Sequence, residues 1–420
     1  MKMDIKQDEG AKSKWQMQDL EDICVEKGLV RGPFGGALKK EFFVSKGYKV
    51  YEQRNAIYQD ATIGEYYIDD KKFQELKRFE VEEGDFIVSC SGTIGKIYRI
   101  PRNAPKGVIN QALLKITIDY KKVDSEFFYQ YFQWESFQKR IIDNTQGGAM
   151  QNLVGMAVFR KTKLKIPTVS EQQKIASILS TWDKAIELKE KLIEQKKEQK
   201  KGLMQKLLTG EVRLPGFTDQ WKEVKLGEIG KTYNGLSGKT AEDFGTGKPY
   251  IPYKTIFDDS KIDLKKVDFV QLEKGEKQNS AKKGDIFFTT SSETPKEVGM
   301  SSVLLEDIDE IYLNSFCFGY RLNNFKDLSP NFARYYFRSD EFRKKTYALA
   351  QGSTRFNISK NEVMKIVIQV PTIDEQKAIA TVLSNNDEEI KLLQEQVNSI
   401  KQQKKGLMQL LLTGKVRVKV

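Results

Sequence analysis

Histidine is absent from this chain of 420 residues. That removes Ser-His-Asp and Cys-His nucleophilic catalysis, HExxH zinc sites and His-Cys fingers together. Cysteine is scarce. Cys24, Cys90 and Cys317 stand alone, with no pair at metal or redox spacing, which points to a reducing, cytoplasmic setting. No apolar run reaches the length that spans a bilayer. The first residues, MKMDIKQDEGAKSKW, are polar and carry no secretory core, so no membrane partner is expected. Neither a GxxxxGKS/T phosphate loop nor a GxGxxG occurs, nor the Asn/Asp-Pro-Pro-aromatic tetrapeptide with which amino-methyltransferases hold a flipped base. The chain reads as a binder, with no catalytic residue, no metal site and no cofactor of its own. The enzymatic alternative is a cryptic nuclease built from carboxylates and lysines, for which no segment stands out.

What the chain does carry is positive charge. Seventy Lys and Arg against 58 Asp and Glu leave a net +12 and a pI near 9.2, which points to a polyanionic partner, most simply nucleic acid. Charged residues at 30% and hydrophobic residues at 39% are ordinary for a soluble globular chain. The length allows more than one domain with its own core.

The chain also says one thing twice. Residues 166–214 and 370–418 align without a gap, from Pro167 onto Pro371 and from Gly210 onto Gly414, with about half the positions identical. A period this long means two copies of a whole domain plus a helix. Each half opens on a tryptophan, Trp15 or Trp221. Each then runs through a glycine turn into a strand at Gly84-Asp85 or Gly284-Asp285, a matched Asn110 or Asn314, and an aromatic stretch that reads as core. Spacing before the asparagines differs between the halves and after them agrees within one residue. A shared framework with re-cut loops should recognise two different targets, because loops tolerate change and carry binding residues.

Neither Gly nor Pro interrupts Glu171–Lys201 or Glu375–Lys405, which predicts two long helices. Ser170 and Asp374 are the expected N-caps, and Thr209-Gly210 and Thr413-Gly414 the expected stops. One helix carries an apolar seam of Ile175, Leu179, Trp182, Ile186, Ile193, Leu203 and Leu207. The other carries Ile379, Leu383, Ile390, Leu393, Val397, Ile400, Leu407 and Leu411, and Lys189 and Lys196 stand where it has Leu393 and Ile400. Such stripes must be buried; packing the helices on each other does so. The expected fold class is α+β: two pseudo-twofold-related globular domains of mixed α/β structure, separated by a long antiparallel two-helix coiled coil. The expected segments are a flexible N-terminus (1–12), a first recognition domain (13–166), a central helix (167–212), a second recognition domain (213–370), a distal helix (371–414) and a C-terminal tail (415–420).

Two variable regions, each followed by a helix ending in KKGLMQ(K/L)LLTG, resemble the specificity subunit of type I restriction–modification systems. The tryptophan openings, GDFIVSCSGTIGKI at Gly84 to Ile97, and P-x-x-x-EQ at Pro167 to Gln172 and Pro371 to Gln376 agree with it, in order and nearly chain-long. One departure is SSETPKEVG where the first half has SGTIGK. The resemblance implies a non-catalytic reader of double-stranded DNA, each domain taking one half of an asymmetric bipartite site. It implies that the helices set the spacer and dock two modification (methyltransferase) subunits, joined by restriction (motor–nuclease) subunits. S-adenosylmethionine, ATP and magnesium would belong to those partners. The rival reading from another class is a coiled-coil scaffold joining two protein-binding domains.

Glycine-containing polar loops suit close backbone approach and hydrogen bonds to phosphates and base edges. In the first half these are RGPFGGALKK, with Arg31, Lys39 and Lys40; SCSGTIGK, with Ser89, Ser91, Thr93 and Lys96; and TQGGAMQN, with Gln146, Gln151 and Asn152. In the second half they are YNGLSGKT, with Asn234, Ser237, Lys239 and Thr240; TTSSETPK, with Thr290, Ser291, Ser292 and Lys296; and AQGSTRFN, with Gln351, Ser353, Arg355 and Asn357.

Overall fold

A computed structural model of the chain describes residues 15–143 and 152–420. The N-terminal segment, Gln146 and Gln151 lie outside the described residues. The chain divides into two compact units, one of Met1–Lys189 with Gln396–Val420 and the other of Glu190–Glu395. Both long helices, Val169–Leu207 and Ile373–Leu411, contribute to each unit.

The units are built to one plan. The first holds a four-stranded antiparallel sheet in the order Cys24–Arg31, Leu113–Ile118, Phe86–Ser89, Ile97–Arg99. The second repeats it as Gly230–Asn234, Cys317–Leu322, Ile286–Thr289, Ser301–Val303. Beside this lies a second sheet with one parallel pair: Tyr48–Tyr51 with Gly107–Ile109 in the first unit, Phe244–Ile251 with Tyr312–Leu313 in the second. The aromatic stretches form short helices, Ser125–Gln133 and Glu135–Ile141, matched by Pro330–Tyr336 and Asp340–Tyr347. Phe127, Phe128, Tyr131, Phe132 and Phe137 are buried, as are Phe332, Tyr335, Tyr336, Phe337 and Phe342. They are core, as their pattern predicts.

The glycine turns carry positive φ, +87° at Gly84 and +88° at Gly284. The aspartates after them are buried anchors. Asp85 accepts from the Thr117 hydroxyl at 2.5 Å. Asp285 accepts both arms of Arg321, at 2.8 and 2.6 Å, and the Tyr233 hydroxyl at 2.6 Å.

The helix seams are spent on two kinds of packing. In the first unit Ile175 and Leu179 join Leu407, Met408, Leu411 and Leu412 on the domain core. In the second unit Leu203, Leu207 and Leu208 join Ile379 and Leu383 on the other core. Each domain thus receives the start of one long helix and the end of the other. Between these ends Trp182, Ile186, Ile390, Leu393 and Ile400 are half-buried, and Ile193 and Val397 are buried. Within the first unit the helices run antiparallel, since Asp183 pairs with Lys404 at 2.6 Å and Lys189 with Gln396 at 2.7 Å. Within the second, Lys196 pairs with Glu389 at 2.8 Å and Lys200 with Asp387 at 2.5 Å, the same polarity. The lysines that interrupt the first stripe therefore find polar partners.

The helices begin two residues earlier than expected, at Val169 and Ile373. Ser170 and Asp374 lie inside the first turn, and the capping place falls to Thr168 and Thr372, whose carbonyls accept from Gln172 and Gln376 at 2.9 Å. The C-terminal stops are as predicted. Gly210 and Gly414 are left-handed, with φ of +73° and +72°, and the amides of Val212 and Val416 reach back to the carbonyls of Lys206 and Leu410 at 3.2 Å.

The P-x-x-x-EQ repeat closes each unit. Gln172 is fully buried; its oxygen accepts from the Asp124 amide at 2.7 Å and its nitrogen donates to the Lys122 and Pro167 carbonyls. Gln376 does the same with Ser329 at 2.8 Å and with Asp327 and Pro371. Glu171 accepts both arms of Arg417, and Glu375 both arms of Arg213. The C-terminal tail is therefore clamped to the first unit, with Val416 and Val418 packed on its core. Trp15 and Trp221 lie against the left-handed glycines Gly414 and Gly210, with Arg417 and Arg213 beside their rings.

Candidate nucleic-acid interface

Arg31 ends the edge strand of the first sheet and is half-buried. It lies beside Cys90, whose thiol burial pushes up to about 12 against the pull of that guanidinium. Beyond it Gly32 is held so close to Asn110 that a Cβ would lie 1.8 Å from its carbonyl oxygen. This contact fixes where the loop leaves the sheet. Lys39 and Lys40 are exposed, as is Phe34 at 75%.

The Ser89–Lys96 loop is a tight turn with Gly92 and Gly95 at φ of +63° and +75°. Ser89 is fully buried; its hydroxyl donates to the Thr93 carbonyl at 2.6 Å and accepts from the Lys96 amide at 3.0 Å. It holds the turn, while Ser91, Thr93 and Lys96 are exposed. Asn152 is exposed beside Asp143.

In the second unit the structure brings all three predicted loops together. Ser291-Ser292 pairs antiparallel with Phe356-Asn357, joining two of them. The third is tethered beside them, the Asn234 side-chain oxygen accepting from Lys360, three residues beyond Asn357, at 2.5 Å. Gly235 repeats the close approach of Gly32, here to Asn314 at 2.1 Å. Lys296, Gln351, Ser353, Arg355, Asn357, Ser237 and Asn234 are exposed.

Several predicted contacts are spent internally. The Lys239 side chain is only 7% exposed and ion-paired to Glu276 at 2.5 Å. That pair is the main reason the Glu276 carboxyl falls to about 2. The Ser292 hydroxyl donates to Glu297 at 2.9 Å, and the Thr240 hydroxyl to Asp243 at 3.1 Å. Thr290 is half-buried, its backbone bonded to Phe316 and Ile358.

A cleft of about 330 Å³ opens among these loops, lined in part by Tyr253, Phe257, Ser291, Glu293, Phe316 and Arg355. Tyr253 donates to the Ser291 carbonyl at 2.7 Å and stacks on Phe257. Arg355 makes no ion pair among the described residues, and the buried Ser291 hydroxyl has no hydrogen-bond partner there. Phe316 and Lys360 escape a reading based on polar loops. Phe316 sits two residues after the Asn314 anchor, and comparing NSF with the NQA of the first half singles it out.

The comparisons with known proteins agree with one another. The Type I restriction modification DNA specificity domain matches twice, over residues 12–197 and 218–402. This chain belongs to the type I restriction–modification specificity subunits. Their part is the non-catalytic recognition of DNA. The chain is 29% identical over 361 residues to the type I restriction enzyme MjaVIII specificity subunit of Methanocaldococcus jannaschii, covering 82% of this chain and 81% of that protein. It is 25% identical over 382 residues to a putative MjaX specificity subunit of the same organism, covering 84% and 83%. The fold matches a chain solved in work on assembly and conformational transition of the type I R-M system, with a TM-score of 0.62 at 17% identity over 95% of this chain and 97% of that one. It also matches the S subunit of M. genitalium, with a TM-score of 0.51 at 17% identity over 98% and 99%. Among the described residues no helix is long and apolar enough to cross a membrane, and no cluster of His, Cys, Asp or Glu could hold a metal.

Proposed function

We propose that each unit of this specificity subunit reads one half of an asymmetric, bipartite double-stranded DNA site. The observation that carries the reading is that one sheet order serves two differently cut loop sets, with the loops of the second unit gathered on one surface. Phosphate contacts from Lys and Arg then supply affinity, and a few side chains at base edges supply specificity. The long helices set the spacer and dock two methyltransferase subunits. The seam residues are packed within the units, so docking falls to the outer faces. Leu188 and Leu392, at matching places in the repeat, are 54% and 47% exposed, which gives each helix an exposed leucine at the same place. S-adenosylmethionine, ATP and magnesium act in the partner subunits. The test is reconstitution with the modification subunit, followed by methylation-sensitive sequencing of host DNA with and without this gene. A split adenine-methylation motif that appears only with the gene supports the reading. A complex that binds no duplex at any salt concentration returns the chain to the scaffold class, and magnesium-dependent cleavage by the chain alone makes it a nuclease.

A further inference from the structure

The two units hold one turn in the same geometry but present different residues on it. In the first, Asn110 accepts from the Ala112 amide at 3.0 Å, and the Ala112 carbonyl accepts from Cys90 at 2.9 Å. In the second, Asn314 accepts from the Phe316 amide at 2.9 Å, and the Phe316 carbonyl accepts from Thr290 at 2.9 Å. The scaffold is thus indifferent to alanine or phenylalanine, yet the second unit leaves a phenylalanine 58% exposed there. The adjoining loop reverses the choice. Two residues beyond the glycine pressed against the asparagine, the first unit has Phe34, 75% exposed, and the second has the polar Ser237. Each unit therefore carries one exposed phenylalanine on one of two touching loops, and the units differ in which loop supplies it.

Phe316 stands in a mixed surround, with Tyr253 and Phe257 lining its cleft beside charged groups. The charged side chains of Arg355 and Glu293 line the same cleft. A ring flanked by a guanidinium and a carboxylate fits a surface that is flat and apolar on its faces and rich in donors and acceptors on its edges. Nucleobases have that chemistry: arginine pairs with guanine, a carboxylate accepts from cytosine, and an apolar group meets the thymine methyl or enters a base step. We infer that Phe316 packs on the bases of the second half-site while Arg355 reads an adjoining base edge, and that Phe34 does the packing for the first half-site. The inference rests on the reading of the units as DNA readers and names where each one grips the bases.

The test uses the full chain assembled with its modification subunit. Phe316→Ala reproduces the residue that the matching turn already carries, so folding is retained. Affinity for the methylated motif should fall on the order of tenfold, the usual loss on removing an aromatic contact to one base. Base preference should relax in the second half-site only. Phe34→Ala should relax the first half-site only, and Phe316→Leu should restore part of the lost affinity. If wild type recognises its motif and both alanine variants recognise it unchanged, the inference is wrong and the DNA reading stands. If wild type recognises no motif, the DNA reading itself fails. If Phe316→Ala prevents assembly with the modification subunit, the ring belongs to a protein interface and the inference is overturned.

Discussion

Glu171 and Glu375 show how much a single side chain can hold in this molecule. Each glutamate is almost wholly buried and accepts a bidentate arginine from the segment that follows the opposite long helix. Removing the arginine strands a carboxylate in the interior. Arg417→Ala and Arg213→Ala should each cost about 3 kcal/mol, at the low end for breaking a buried pair because the arginines are partly exposed. Chemical denaturation checks this, and adding Glu171→Gln to Arg417→Ala should recover part of the loss. A second prediction concerns acid. Lys239 holds Glu276 near 2, below the roughly 4.3 of an unfolded glutamate. A carboxyl depressed on folding stabilises above the unfolded value, and that contribution disappears as pH falls through the folded one. Lys239→Met removes the main cause, so the acid transition of the intact chain, followed by tryptophan fluorescence, should move to higher pH. Lys239 also marks where sequence reading stops. A lysine in a glycine loop looks like a phosphate contact, and nothing local discloses a glutamate 37 positions away in the chain. Ser89 and Ser292 mislead in the same way, because loop polarity does not distinguish a hydroxyl offered to solvent from one holding a turn.

At the scale of elements the sequence is far more legible. An uninterrupted run, an apolar stripe and a terminal Thr-Gly specify the long helices to within a residue or two, because helix length and stop chemistry are local properties. The stripe alone does not tell which part meets the other helix and which part meets a domain core, since both partners are apolar. The stop can be tested. Gly414→Ala forces a left-handed alanine and places its Cβ 3.4 Å from the Trp15 ring; it should cost about 1–2 kcal/mol, and Gly414→Asn less. The outer faces can be tested separately. Leu188→Asp or Leu392→Asp should leave the melting transition unchanged, since both leucines are about half exposed. Each should weaken capture of one modification subunit by tenfold or more, the scale of burying a leucine, about 1.5–3 kcal/mol. Sedimentation of the reconstituted complex would show less modification subunit bound than on wild type, and unchanged stoichiometry for both variants would remove these leucines from the docking surface.

At the scale of the whole molecule the decisive property is that two loop sets are hung on one repeated frame. The frame closes each recognition domain with a short antiparallel ladder, Gln16–Asp19 with Lys163–Ile166 and Lys222–Lys225 with Val367–Val370. Each domain's chain therefore enters and leaves at one place, next to the start of a long helix. That geometry makes a domain separable: exchanging residues 217–369 for the matching region of a relative replaces a sheet, its loops and their phenylalanine while keeping Glu375, Gln376, Arg213 and both helices; the partners that Gln376 meets at Asp327 and Ser329 are main-chain groups, which a relative can supply. The graft should change the methylated motif in one half and keep the other half and the spacer. Sequencing of methylated DNA from cells carrying the hybrid reads the outcome directly. An exchange that altered both half-sites together would mean that the two units recognise DNA jointly, and the separation of frame from loops would not extend to function.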